Sequence, residues 1–261
     1  MVYIRRGVII MSGIMQNIMA GNNSINVNLI ISANTANYNL YTSASALATS
    51  LGWNGVSPFN CTLTINSGIY IYSTSTSSYA LDTGTGFPLG SNVSIINNGF
   101  IVGMGGAGGN GGQYNVDNAT NGLAGGSAVI VRSNISITNN GVIGAGGGGG
   151  GGGNGNGTII NGVRWNGSGG GGGQGGGLHG LPVGNGTAGT DGTLTSAGVG
   201  GTSVSPTTVG GNGGTYGVAG NNGGSGYGQY ATRTGGATAN YLTGNSNVTW
   251  VVSGTLLGFV S

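Results

Sequence analysis

The sequence predicts a mainly β and irregular fold with almost no α-helix. A small N-terminal β-rich domain is followed by a glycine-rich sandwich of stacked polyglycine-II helices carrying β elements. Three observations point there. Residues 101–261 hold 55 of the 65 glycines. Those glycines keep a three-residue register, as at Gly211, Gly214, Gly217, Gly220, Gly223 and Gly226. Three is neither the helix nor the strand period, but it is that of the polyproline-II-type helix, which rises about 3.1 Å per residue. Finally, a Ser-Asn-led β unit occurs three times, at 91–103, 133–144 and 246–258.

Residues 1–24 are an apolar segment. Two arginines, an apolar stretch and small residues before Gly21 follow the order of a secretory signal. Ser12, Gly13, Gln16 and Asn17 interrupt the stretch, and it is too short for a membrane span. It therefore also reads as a docking segment or, with Met11 as the start, as an upstream extension.

Residues 25–102 read as the β-rich domain. INVNLIIS (25–32) alternates like a strand. SASALATSLGW (43–53) is the one helix expected, about two turns long. TLTIN and IYIYS flank a Ser-Gly turn at 67–68, and strand-forming Ile, Tyr and Thr dominate them. Gly and Pro make DTGTGFPLG (82–90) a loop. Trp53 is expected to pack this domain. Each Ser-Asn unit reads as two strands around a turn. Asn-Asn-Gly supplies the turn in the first two, since both residue types tolerate positive φ. Their irregular spacing argues against a simple solenoid. Trp250, in the third unit, is expected in a core.

The glycine runs fill 103–261, at 103–112, 122–127, 144–157, 167–177, 186–201 and 210–226. A flexible linker is the bland alternative. The runs carry little serine, almost no charge and interspersed apolar residues, and the register persists. Ordering glycine costs roughly 1–2 kcal/mol of backbone entropy per residue, and an isolated glycine helix has no internal hydrogen bonds to offset it. Neighbouring helices can offset it by bonding N–H to C=O laterally. Collagen is excluded by four prolines and by the eight consecutive glycines at 146–153.

A glycine lattice is chemically silent, so recognition falls to its connections: 113–121, 158–166, 178–185, 202–209 and 227–243. With straight, alternating passages, 113–121, 158–166 and 202–209 meet at the far end. The repeat at 133–144 and the segments 178–185 and 227–243 then lie near the N-terminal domain. The far-end candidates for receptor contact are Tyr114, Asp117, Asn118, Ile160, Arg164, Trp165, Pro206 and Thr207. Trp, Tyr and Arg are the residue types that anchor interfaces, although Trp165 and Tyr114 also suit aromatic lids on the stack. His179 reads as an ordinary loop residue.

Composition narrows the function. The chain has no lysine or glutamate, and its charges are Arg5, Arg6, Arg132, Arg164, Arg233, Asp82, Asp117 and Asp191. Five scattered arginines give no nucleic-acid footprint. One cysteine, one histidine and three separated aspartates offer no metal cluster and no catalytic pair. GMGGAG (103–108) matches a dinucleotide-binding pattern, but in this composition the match carries no weight. The expectation is a non-enzyme with no cofactor, no metal and no membrane insertion.

The small N-terminal domain, the NNG units entering glycine runs, the connections between runs and the Ser-Asn-Val-Thr-Trp stretch at 246–250 together resemble the tail-fibre tip adhesins of T-even-type bacteriophages. The resemblance is strongest over 91–177 and 246–258. It implies an N-terminal attachment domain on a tail-fibre protein and a polyglycine-helix sandwich. It also implies distal loops that bind a host outer-membrane protein or surface saccharide. The location implied is the virion's fibre tip, after synthesis in the host cytoplasm. Within Met11–Ala20, Ile14, Met15, Ile18 and Met19 are the attachment candidates, because methionine adapts to irregular surfaces. The division expected is 1–24 attachment segment, 25–102 β-rich domain and 103–261 receptor-binding domain. Two rivals remain: a secreted glycine-rich structural protein with 1–20 as its signal, and an ice-binding protein displaying Thr187, Thr190 and Thr193.

Overall fold

The alternating segment at 25–32 forms the first strand, β1 (Asn26–Ile31), with Val27 turned into the core. In the computed structural model, which describes residues 25–113, 119–160, 163–203, 208–226 and 232–261, β1 opens a three-sided parallel solenoid. Its first coil continues with β2 (Thr35–Ala36) and β3 (Tyr38–Asn39). The second coil is β4 (Asn60–Ile65), β5 (Tyr70–Tyr72) and β6 (Leu81–Asp82). The third is β7 (Asn92–Asn97), β8 (Phe100–Val102) and β9 (Val129–Ile130). The fourth holds β10 (Ile135–Asn139), β11 (Val142–Gly144) and, after a long excursion that contains β12 (Asn156–Ile160) and β13 (Val163–Trp165), β14 (Asn240–Thr243). The last is β15 (Val248–Val252), β16 (Thr255–Leu257) and β17 (Phe259–Val260). The three parallel sheets run β1-β4-β7-β10-β15, β2-β5-β8-β11-β16 and β3-β6-β9-β14-β17.

Register stacks like on like. Ile71, Ile101 and Ile143 form one buried column and Leu81, Val129 and Leu242 another. The Asn-Asn-Gly corners work differently from the positive-φ turns expected. Neither Gly99 nor Gly141 has positive φ. A Cβ at Gly141 would overlap the Gly99 carbonyl of the coil beside it, so glycine is required by the closeness of the coils. The first asparagines form a buried ladder. Asn97 Nδ2 donates to Asn139 Oδ1 at 2.7 Å, and Asn139 Nδ2 donates to the Ser253 carbonyl at 2.7 Å. Each Ser-Asn unit is thus one strand in each of two neighbouring sheets.

The one α-helix among the described residues, α1 (Leu40–Ser50), starts three residues earlier than the sequence suggests. The Asn39 carboxamide caps it by accepting the Thr42 N–H at 2.9 Å. Leu40, Ala44 and Ala48 are buried, and the helix packs against β1.

The solenoid expectation is corrected. The coils are irregular in sequence because α1 is inserted between β3 and β4, and glycine-rich chain between β8 and β9 and between β11 and β14. The three sheets accordingly continue across residue 103 to the last strand, β17. The inserted chain makes ten passages among the described residues: 103–112, 119–127, 145–155, 166–175, 177–183, 186–193, 196–203, 208–216, 218–226 and 232–238. In 145–155 successive N–H groups turn to successive neighbours. Gly146 donates to the Gly126 carbonyl, Gly147 to Gln174, Gly148 to Val218, and Gly149 returns to Leu123, all at 2.9–3.0 Å. That is three residues per turn, the polyproline-II-type period.

Counting acceptors too, 145–155 bonds to six neighbours, as does 166–175. Six neighbours around each of two adjacent passages fix a hexagonal array of three, four and three. One outer layer is 119–127, 103–112 and 177–183, and the other is 218–226, 208–216 and 196–203. Passages 232–238, 145–155, 166–175 and 186–193 lie between them.

Candidate functional site

Glycine is what lets the array close. A Cβ on Gly147 would overlap the Gly214 carbonyl, and one on Gly149 the Ala107 carbonyl. At the periphery, N–H groups with no carbonyl opposite are met by side chains. Leu181 N donates to Asn110 Oδ1 at 2.8 Å, Gly200 N to Asn212 Oδ1 at 2.8 Å and Val199 N to Thr190 Oγ1 at 2.8 Å. The non-glycine residues of the runs thus include the acceptors that outer passages need.

Passages alternate in direction, so the chain leaves and re-enters the array at the end remote from the solenoid in five places. The flanking pairs are Gln113 and Ala119, Gly155 and Asn166, Val183 and Gly186, Ser203 and Thr208, and Gly226 and Thr232. Gly153 N donates to the Ser168 carbonyl at 2.9 Å and Ser168 N to that of Thr208 at 3.0 Å. Ser168 Oγ donates to the Thr202 carbonyl at 2.7 Å. Asn154, Ser168 and Thr208 are buried and form a polar, hydrogen-bonded floor beneath this end.

The parity expected from sequence holds for the flanks of 113–121, 158–166 and 202–209. It fails for 178–185 and 227–243. Residues 177–183 are a passage of their own and turn at the far end, and the 227–231 link has far-end flanks before passage 232–238. The sequence hides these because LHGLPVG holds few glycines. The runs at 186–201 and 210–226 also each fold back once, at 194–195 and at Gly217, whose φ is 71°.

Of the receptor-contact candidates, Ile160, Arg164 and Trp165 lie on the antiparallel pair β12–β13. Ile160 pairs with Val163, Ile159 with Arg164 and Asn156 with Trp165. Tyr114, Asp117, Asn118, Pro206 and Thr207 lie outside the described residues, as do Ile14, Met15, Ile18 and Met19.

His179 is more than a loop residue. Its backbone N–H donates to Asp191 Oδ1 at 2.8 Å and its Nδ1 lies 2.6 Å from the same oxygen, joining two passages. The backbone bond, followed by the side-chain bond, holds the Asp191 carboxyl below its ordinary range. Among the described residues no three His, Cys, Asp or Glu side chains cluster as metal ligands, and no helix is long and apolar enough to cross a membrane.

The last coil is a second unusual surface. In inner coils the inward residues are sealed, but Val248, Trp250 and Leu256 are only partly buried. Phe259 and Val251 are each 64 % exposed. β15, β16 and β17 are all edge strands, one per sheet. At the opposite end Val27 is sealed and α1 lies against β1.

The family model for the phage tail fibre adhesin Gp38 matches residues 26–261. The chain belongs to that family. This tail fibre adhesin is also similar in fold to a solved structure, the gp37–gp38 adhesin tip complex of the bacteriophage S16 long tail fiber. The two share 22 % identity and a TM-score of 0.62, over 90 % of this chain and 82 % of that one. A comparison with curated protein sequences gave no match.

Proposed function

We propose that this adhesin binds a host surface receptor, an outer-membrane protein or a surface saccharide, through the links at the far end of the glycine array. One observation carries this reading: the flanks of five chain links lie together at one end of the hydrogen-bonded array, beside a polar floor and remote from the solenoid. Loops held by a rigid scaffold suit recognition because little ordering remains to be done on binding. The links supply Tyr, Trp, Arg, Asn and Thr, a set in which aromatic anchors combine with adaptable polar groups. Replacing 158–165, 114–118 and 204–207 together, which keeps the lattice residues Thr120, Asn121, Thr202 and Thr208, should change which bacterial strains adsorb the phage while the melting temperature stays put. Unchanged host range would sink the assignment.

The other end of the reading is attachment. The solved relative is a complex with gp37, and we place the tail-fibre partner of this chain on the solenoid. The Met11–Ala20 segment, with Ile14, Met15, Ile18 and Met19, is one candidate seat. The last coil is the one the geometry favours, since three open edges and exposed Val251 and Phe259 need cover. Co-expression with the fibre protein separates them. Val251→Lys with Phe259→Ser should abolish the complex while removal of residues 1–20 leaves it; the reverse result assigns attachment to the N-terminal segment.

A further inference from the structure

The DTGTGFPLG loop has no part in the lattice or its links. It stands beside a cleft in the solenoid wall. The seam between β1 and β4 zips from Asn26↔Asn60, and that between β4 and β7 from Asn60↔Asn92. The next seam, between β7 and β10, begins only at Ser94↔Ser136. Asn134 and Ile135 therefore have no ladder partners in Asn92 and Val93, and the pairing of this seam begins two residues late.

Two adjoining hollows, of about 380 Å³ and about 460 Å³, lie beside this seam and share Ser91, Val93 and Asn134. Each falls in the size range of small-ligand sites, roughly 300–1,000 Å³. The floor is polar. A second, exposed asparagine row runs along this wall, with Asn60 Nδ2 donating to Asn26 Oδ1 at 2.9 Å and Asn92 Nδ2 to Asn60 Oδ1 at 3.0 Å. The row stops at Asn134, whose carboxamide has no side-chain partner among the described residues, and the Thr249 hydroxyl beyond it has none either. The wall is apolar: Phe87, Pro88 and Leu89, the last 100 % exposed. No charged residue lines either hollow. The nearest charges along the chain, Asp82 and Arg132, pair with each other at 2.7 Å.

We propose that this cleft is a lateral binding site for an uncharged saccharide, separate from the receptor-binding end. Carboxamides and hydroxyls donate and accept, as sugar hydroxyls do. The Phe87–Leu89 wall suits the apolar C–H face of a sugar ring. An anionic ligand would lose its hydration here with no cation to replace it. A peptide would be held mainly by backbone pairing along an edge strand, whereas this floor is built from side-chain groups of several coils. Such a site would let the adhesin hold surface glycan while its far end meets the receptor.

The test is saturation-transfer NMR on the full chain with maltoheptaose, cellohexaose and mannohexaose. At least one should bind. Asn134→Ala and Leu89→Ser, both at exposed positions, should each weaken it about five- to tenfold, the worth of one or two modest contacts, without moving the melting temperature. Replacing 158–165 should leave it unchanged, which separates this site from the receptor reading. Absence of binding by all three probes would overturn the proposal. So would binding indifferent to both substitutions, or competition by an uncharged Ser/Thr-rich peptide that binds the cleft more tightly.

Discussion

The solenoid and the glycine array solve the same problem with opposite means. In the solenoid, backbone bonds run between coils while side chains fill the centre, in columns such as Ile71–Ile101–Ile143. In the array there is no comparable side-chain core: 145–155 is surrounded by six passages and is held mainly by backbone bonds, with Asn154 Oδ1 accepting the Ala119 N–H near the far end. One region is stabilised chiefly by apolar burial. The other depends on close packing and on satisfying every peptide group. The two should therefore differ in what they tolerate.

The widest difference is to an added methyl. Gly149→Ala would drive a Cβ into the Ala107 carbonyl and against Gly108 N, both backbone atoms of a neighbouring passage. The lattice must open locally, and we expect a loss of more than about 4 kcal/mol, the class reserved for severe mechanisms. Gly176→Ala is the control. It sits in a turn at φ 91° with nothing within 4 Å of its Cβ position, so it should lose only the left-handed strain, about 1–2 kcal/mol. Equilibrium unfolding of the two variants compares them directly. Equal losses would break the claim that the array excludes side chains by proximity.

The solenoid should respond to removal instead of addition. Ile137 is 1 % exposed and lies between Ile95 and Trp250 in neighbouring coils. Ile137→Ala should cost about 2–4 kcal/mol through lost burial and the cavity left behind. A loss under about 1 kcal/mol in chemical denaturation, the size of an exposed substitution, would mean that the column carries little of the stability.

How legible the two regions were follows from the same physics. The array's spacing rule is local, because a three-residue turn writes itself into consecutive residues, so the stack could be read from glycine alone. Its folds could not: Gly217 and the turn at 194–195 look like the runs around them. Of the solenoid's strands, β1 was visible by alternation, β4 by its strand-forming residues and β7 by the Ser-Asn repeat. Its third sheet was not, since Leu81–Asp82 and Val129–Ile130 are two residues each and pair only across distant sequence. The far-end links were legible in outline, as the non-glycine gaps between runs. The cleft at Asn134 was invisible, because a seam whose pairing begins late has no local signature.

At the rim of the array the penalty should shrink. Asn110 Oδ1 accepts the Leu181 N–H at 2.8 Å where no carbonyl faces it. Asn110→Ala leaves that donor close to solvent, which can take over, so the expected loss is about 0.5–1.5 kcal/mol. A thermal melt of this variant falling as far as that of Gly149→Ala would erase the distinction between rim and centre.

The smallest effect compares the two regions through acid. Among the described residues, each holds one carboxylate staple. In the solenoid, burial raises the Asp82 pKa, but the Arg132 side chain at 2.7 Å and the Gly84 N–H outweigh it, so the group sits below its ordinary 3.8. In the array, the His179 backbone N–H leads in lowering Asp191. Both carboxyls are depressed in the folded state. Their contributions are therefore complete above the unfolded value and fade as pH falls through the folded one. Both pairs are well exposed, with Asp82 28 % and Asp191 51 % accessible. Solvent screening keeps each contribution under about 1 kcal/mol. Melting temperatures of the parent, Asp82→Asn and Asp191→Asn should converge as the medium is taken from about pH 6 towards about pH 3. Variants that stay equally far below the parent at the acid limit would show that the two side chains act through packing, in both regions, and not through charge.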